Sequence, residues 1–198
     1  KFIKDAKDLT DFDVIGIGPG IGKHDSHKAL LQSVFEHFNK PVIIDADALN
    51  ILSENKNLYK LIPENSIITP HPKEFERLFG KTNSDFERVN LALKNAKELK
   101  IFIVLKGHFT LIATPGGKGH FNSTGNAGMA TAGAGDVLTG IITALVAQKY
   151  LPLQAVSFGG DLHGRAGDFA AKCISKEALI ADDIIANLGK AFNQISPC

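Results

Sequence analysis

Gly125 to Gly140, GNAGMATAGAGDVLTG, is the stretch of this 198-residue chain whose residue types can do chemistry. Its glycines lead to a single aspartate, Asp136, and then into an apolar run, VLTGIITALVA. A phosphate group needs several backbone N–H donors converging on it, and only residues without bulk let a backbone come that close. A glycine-rich turn opening directly into a helix supplies those donors together with the positive end of the helix dipole. Val137, Leu138, Ile141, Ile142, Leu145 and Val146 cover much of that helix, which predicts a buried, central element. Asp136 falls in the first turn, where a carboxylate can simply cap the helix. Beside a phosphate its charge would repel the ligand, and it makes better sense as a base aimed at a hydroxyl that attacks the phosphorus.

Counting excludes two other phosphate motifs. A P-loop needs Gly-x4-Gly-Lys-Ser/Thr, but around Gly22 and Lys23 the first position is Ile17 and the last is His24. The dinucleotide pattern Gly-x-Gly-x-x-Gly fails in GIGPGIG, because Gly16 and Gly18 are followed by Ile21, and Gly18 and Gly20 by Lys23.

The elements that must position the glycine turn alternate along the chain. DVIGIG (13–18), PVIIDA (41–46), SIITP (66–70) and IFIVLKG (101–107) read as short buried strands. Between them SHKALLQSVFEHF (26–38), NILSENKNLYKLI (50–62) and SDFERVNLALKNAKELK (84–100) carry helical spacing. Ser84 and Glu87 form a capping box, Val89, Leu91, Leu93, Ala96 and Leu99 supply an apolar face, and Gly80 ends the preceding short helix KEFERLF. This alternation predicts an α/β fold with a parallel sheet covered on both faces. TLIATPGGKGHFNS (110–123) breaks the rhythm and predicts a hairpin at the sheet edge, followed by helices near 135–149, 152–172 and 182–195.

Composition bounds the partners. Lys plus Arg number 22 against 21 Asp plus Glu, so no global charge recruits nucleic acid or an anionic membrane. Cys173 and Cys198 make neither a disulfide framework nor a metal-ligand spacing, and a reducing cytosol is the default. No apolar run has membrane-spanning length, and the charged opening residues do not read as a signal peptide. Residues 1–198 are expected to form one domain. Met129 is the only methionine, so the chain, which starts at Lys1, is expected to be a piece of a longer one.

GAGD opening a helix resembles the anion-hole signature of the ribokinase-like kinases. The longer string GNAGMATAGAGDVLTG is similar to that of the ADP- or ATP-dependent NAD(P)H-hydrate dehydratases. DVIGIGPGIG, PVIIDADAL, TPHPKEFERL and VLKGHFTLIA match that family in order and spacing, so the resemblance covers nearly the whole chain.

The resemblance implies a ribokinase-like three-layer αβα fold with a mostly parallel central sheet and a β-hairpin edge. It implies repair of hydrated NADH or NADPH: phosphorylation of the ring hydroxyl, then loss of phosphate to restore the dinucleotide. Asp136 is then the general base, and the N–H groups of Gly133, Ala134 and Gly135 stabilise the transferring phosphoryl group. Lys106, Gly107, His108, Phe109 and Thr110, with Gly135, resemble the adenine-nucleotide segment. Gly20, His71, Asn126 and Asp136 would meet the hydrate, and Glu74 would organise Mg2+ through water.

Each of these residues also has a plainer reading. Lys106 can be a solvated strand-end lysine, His71 and His108 loop histidines, and Glu74 a surface helix carboxylate. Gly20 can belong to a tight turn, Asp45 can cap the next turn, and Met129 reads as packing. Asp45 and Asp47 follow a buried strand, where a functional position is also open.

ADP or ATP is the implied phosphoryl donor, and the compact KGHFT and GAGD forms look more like the ADP-using bacterial branch. A cytoplasmic homotetramer is implied, as is a fused or partner epimerase domain. Family members begin with another strand–helix unit bearing a glycine-rich loop, which this sequence does not contain. A ribokinase-like small-molecule kinase and a non-catalytic nucleotide-binding fragment remain as alternatives. His71, where sugar kinases carry Asn in Asn-x-x-Glu, argues against the first of these.

Overall fold

The computed structural model describes Leu9, residues 11–22 and residues 24–195. Lys1, Lys23 and Cys198, named above, lie outside the described residues. Six strands run in spatial order β1 (Ile15–Ile17), β2 (Val42–Ile44), β3 (Ile67–Ile68), β4 (Phe102–Leu105), β5 (Thr110–Ala113) and β6 (Gly119–Asn122). The first four are parallel, and β5 and β6 close the sheet as the expected antiparallel hairpin.

The short β-branched runs form these strands because both faces are buried. Side chains alternate along each strand, so Ile44, Ile68, Ile103, Leu105 and Leu111 enter one core. Ile43, Ile67, Phe102, Val104 and Ile112 enter the other. The first core is covered by α1 (Ser26–His37), α2 (Ala46–Glu54), α3 (Pro72–Phe79) and α4 (Asp85–Leu99). The second is covered by α5 (Ala134–Ala147), α6 (Pro152–Ile174) and α7 (Ala181–Ile195). In α5 Leu138, Ile141, Ile142, Leu145 and Val146 are buried, which is the central placement that its apolar run predicts. No described helix is long and apolar enough to cross a membrane.

Two local expectations need correction. The helix expected over 50–62 starts at Ala46, directly off β2, and is followed by a separate 3-10 turn, Lys56–Leu61. The break is at Asn55, whose side-chain amide donates to the Ile51 carbonyl at 2.8 Å and so satisfies the last turn of α2. The capping box at α4 is only half formed. Ser84 Oγ accepts from the Glu87 N–H at 3.1 Å, but Glu87 Oε2 accepts from the Asn83 N–H, one residue before the cap.

Candidate active site

Parallel strands all end on the same side of a sheet, so the residues that follow them meet there. Asp45 follows β2, the segment Thr69–His71 follows β3, and Lys106 follows β4. α5 brings its N-terminus to the same edge. Gly18, just past β1, has φ +134°, and a Cβ on it would lie 1.7 Å from the Asp45 carbonyl oxygen. Only glycine lets these two strand ends approach so closely.

Asp45 is 1% exposed and its carboxylate is fully engaged. Oδ1 takes the Lys106 ammonium at 3.0 Å, and Oδ2 accepts from the Thr139 hydroxyl at 2.8 Å. It makes no side-chain cap to α2, so the capping reading fails. Lys106 is likewise not a solvated strand-end lysine. A Cβ at Gly135 would lie 3.1 Å from its Nζ, which puts a held cation directly against the first turn of α5. Gly133 starts that turn in the left-handed region, φ +84°. Cation, glycine turn and helix dipole together favour an anion.

His71 and Glu74 form a reciprocal capping box on α3. The ring Nδ1 accepts from the Lys73 and Glu74 N–H groups at 3.1 and 3.3 Å, while Glu74 Oε2 accepts from the His71 N–H at 2.8 Å. An Nδ1 that accepts carries no proton, so the neutral ring carries its proton on Nε2, which lies 3.4 Å from Glu74 Oε1. Burial lowers the basicity of His71; the Glu74 charge opposes this, and Lys106 adds to it. Glu74 is 6% exposed and is therefore not a surface carboxylate.

A cavity of about 640 Å³ joins these parts. His71, Lys106, Gly107, His108, Thr110, Asn126, Ala134 and Gly135 line it, so most of the residues singled out in the sequence face one space. Gly20, Glu74, Phe109, Gly133 and Asp136 are not in its lining. Asp136 is exposed in the first turn of α5, Phe109 is exposed beside His108, and Gly20 is exposed in an open turn. Asn126 has an internal job: Oδ1 caps a short 3-10 turn at the Gly128 N–H, and Nδ2 donates to Asp168 Oδ1 at 2.9 Å. Met129 packs against the second core and also borders the cavity. Asp47 ties down the GPGIG loop by accepting from the Gly22 N–H at 2.9 Å.

Sequence reasoning expected the helix α6 but missed the residues it brings to the cavity. His163, Gly164, Gly167 and Asp168 share one helix face, and the first two line the cavity. The signal was present in HGRAGD, but within a helical run it reads as packing. Asp168 Oδ2 also accepts from the Gly125 N–H at 3.0 Å. A Cβ at Gly164 would fall 2.1 Å from Thr124 Oγ1, and one at Gly167 2.2 Å from the Met129 sulfur. The segment 124–129 is thus seated on α6.

His163 also makes stability pH-dependent. Burial pushes its ring down to about 4; a hydrogen bond to Ala134 pulls upward, and Lys106 adds to the lowering. The unfolded ring, at its ordinary value near 6.5, takes up a proton that the folded ring refuses. Stability is therefore lost as pH falls from about 6.5 toward 4, and this group contributes about 2–3 kcal/mol of loss between pH 7 and pH 4.5. Urea unfolding at both pH values should show a smaller acid loss in His163→Gln. An equal loss in both proteins would remove His163 from the account.

The family model described as NAD(P)H-hydrate dehydratase matches residues 2–189. The chain is 40% identical over 179 residues to the bifunctional NAD(P)H-hydrate repair enzyme of Moorella thermoacetica, covering 89% of this chain and 34% of that protein. It is 43% identical over 178 residues to the ADP-dependent (S)-NAD(P)H-hydrate dehydratase of Neisseria meningitidis, covering 87% of this chain and 58% of the relative. Among solved structures, the ADP/ATP-dependent NAD(P)H-hydrate dehydratase of Bacillus subtilis, co-crystallised with ATP/Mg2+, superimposes with TM-score 0.83 at 32% identity. That likeness covers 96% of this chain and 70% of the other. The chain spans about a third of the length of the bifunctional relatives it matches. On this match to the family model, carried by a ribokinase-like fold, the chain belongs to the NAD(P)H-hydrate dehydratase family.

Proposed function

We propose that this chain dehydrates hydrated NADH or NADPH at the expense of a nucleoside polyphosphate, ADP or ATP. The observation that carries the reading is the held Lys106 ammonium against the Gly133–Gly135 turn, with His71 in the lining of the same cavity. The nucleotide lies along Lys106–Thr110 with its terminal phosphate at the N-terminus of α5. The ring hydroxyl attacks that phosphorus, Asp136 takes the hydroxyl proton, and the shortened nucleotide leaves with the bonding pair. The phosphate then departs with the ring C–O pair, and loss of a proton from the neighbouring ring carbon restores the double bond. The N–H groups of the glycine turn meet the charge that develops on the phosphoryl oxygens. His71 borders the space for the hydrate, its Nε2 lying 3.4 Å from Glu74 Oε1.

Among the described residues no three His, Cys, Asp or Glu side chains gather as a metal cage. Mg2+ would be held chiefly by the nucleotide phosphates and water, with Glu74 ordering a water. When bound, Mg2+ neutralises phosphate charge. A companion activity accords with the bifunctional relatives, of which this chain spans about a third, and the tetramer is carried over from the family.

The test is recovery of near-ultraviolet NADH absorbance when the chain meets NADH hydrate and Mg2+ with ADP or ATP in parallel. Recovery with one nucleotide identifies the donor. A lasting phosphorylated product without recovered absorbance sinks the dehydratase reading in favour of a small-molecule kinase.

A further inference from the structure

The carbonyl of Ala134 and the N–H of Gly135 belong to one peptide group. That N–H is one of the donors assigned above to the transferring phosphoryl group, so the present inference rests on that assignment. The carbonyl end of the same peptide is not left to solvent. His163 Nε2, reaching across from α6, lies 2.9 Å from the Ala134 oxygen. A carbonyl can only accept, so Nε2 carries the proton and Nδ1 does not. The ring is held in place from its own helix, because Gly164 beside it packs on Thr124 with no room for a Cβ.

We propose that His163 is a positioning residue of the phosphate-binding turn: its Nε2–H fixes the plane of the Ala134–Gly135 peptide and polarises it, so that the Gly135 N–H is aimed and strengthened as a donor. Hydrogen bonding at one end of an amide draws charge through the group and strengthens the bond made at the other. A donor fixed before the reaction costs no reorganisation when charge develops, so the benefit falls on the transition state. Burial keeps the ring neutral, as its value near 4 indicates, and the neutral ring still donates. The device adds no net charge beside Lys106, which already supplies the cation at this turn. Asp168, one helical turn further along α6, holds the Gly125 N–H and the Asn126 amide. One helix face thus fixes the glycine turn and the opposite segment of the cavity together.

The experiment compares His163→Gln with His163→Asn. Both keep an amide at the site, but only Gln is long enough to put its nitrogen where Nε2 sits. His163→Asn should lower kcat by about tenfold or more while the nucleotide KM changes by less than about threefold, and His163→Gln should stay within about threefold of the native chain. The Gly135 amide proton resonance, read with ADP and Mg2+ present, should move in the Asn protein and hold in the Gln protein. Equal kcat losses in both variants with matching falls in Tm would mean a merely structural histidine, and would overturn the proposal. So would an unmoved Gly135 resonance in both. Ring nitrogen shifts of the native chain need no variant, and a ring protonated on Nδ1 alone would also overturn it. If the native chain does not turn over NADH hydrate, the proposed function fails, while the Gly135 comparison still decides the role of His163.

Discussion

Asp136→Asn should lower turnover of NADH hydrate by about 10²- to 10⁴-fold while leaving ADP or ATP affinity within about threefold. The amide has the shape of the carboxylate and can still accept a hydrogen bond, so the first turn of α5 keeps its form. What it loses is the capacity to take a proton. It also loses a negative charge beside the phosphate turn, so any change in nucleotide affinity should be toward tighter binding. Exposure supports the role: Asp136 lies at the opening of α5, where an arriving hydroxyl can reach it. Absorbance kinetics with the native and Asn proteins, alongside calorimetric nucleotide titration, separate the two effects. An Asn protein keeping more than a tenth of native turnover would assign the base elsewhere.

Asp45→Ala carries the largest expected loss of stability, about 3–5 kcal/mol. The carboxylate is nearly inaccessible and holds both the Lys106 ammonium and the Thr139 hydroxyl. Removing it leaves a half-buried cation without its counter-charge and the Thr139 hydroxyl with only a long 3.4 Å contact to Thr69 Oγ1, which costs more than the pair itself contributes. The double variant Asp45→Leu/Lys106→Met should regain most of that stability while losing nucleotide affinity. Urea unfolding of the native, single and double proteins forms the test. If the double variant is as unstable as the single, burial of unpaired charge is not the reason. Such an outcome would point instead to lost packing between β2 and α5.

The glycine turn, the strand–helix alternation and the hairpin could be read in the sequence because each rests on local chemistry. Isoleucine and valine runs name the strands, and TPGGKG names the edge turn. His71 was singled out through the resemblance of TPHPKEFERL to the family, yet its role as the cap of α3 was not legible. That role depends on a rotamer aimed at two N–H groups. The pair Asp45–Lys106 spans 61 positions and exists only because β2 and β4 end on the same side of the sheet. Motifs alone cannot supply that register. His163 was harder still, because a histidine in a long amphipathic helix has no sign of its own. Only the packing of α6 on α5 turns it toward Ala134. Asn126, expected to meet the hydrate, lies in the cavity lining, but its amide is spent on Asp168 and Gly128.

The two cores differ in how they draw on the chain. Helices α1 to α4, on one face, are interleaved with the strands they cover, whereas α5 to α7 all follow the last strand. The first face can therefore condense from neighbouring segments, while the second must wait for a sheet that already exists. The glycine turn at the start of α5 belongs to the second face. In refolding, protection from hydrogen exchange should reach the amides of β2 to β4 before those of α5 and α6. A half-folded chain would thus hold Lys106 paired with Asp45 at the ends of β4 and β2, before the glycine turn of α5 is there to face it.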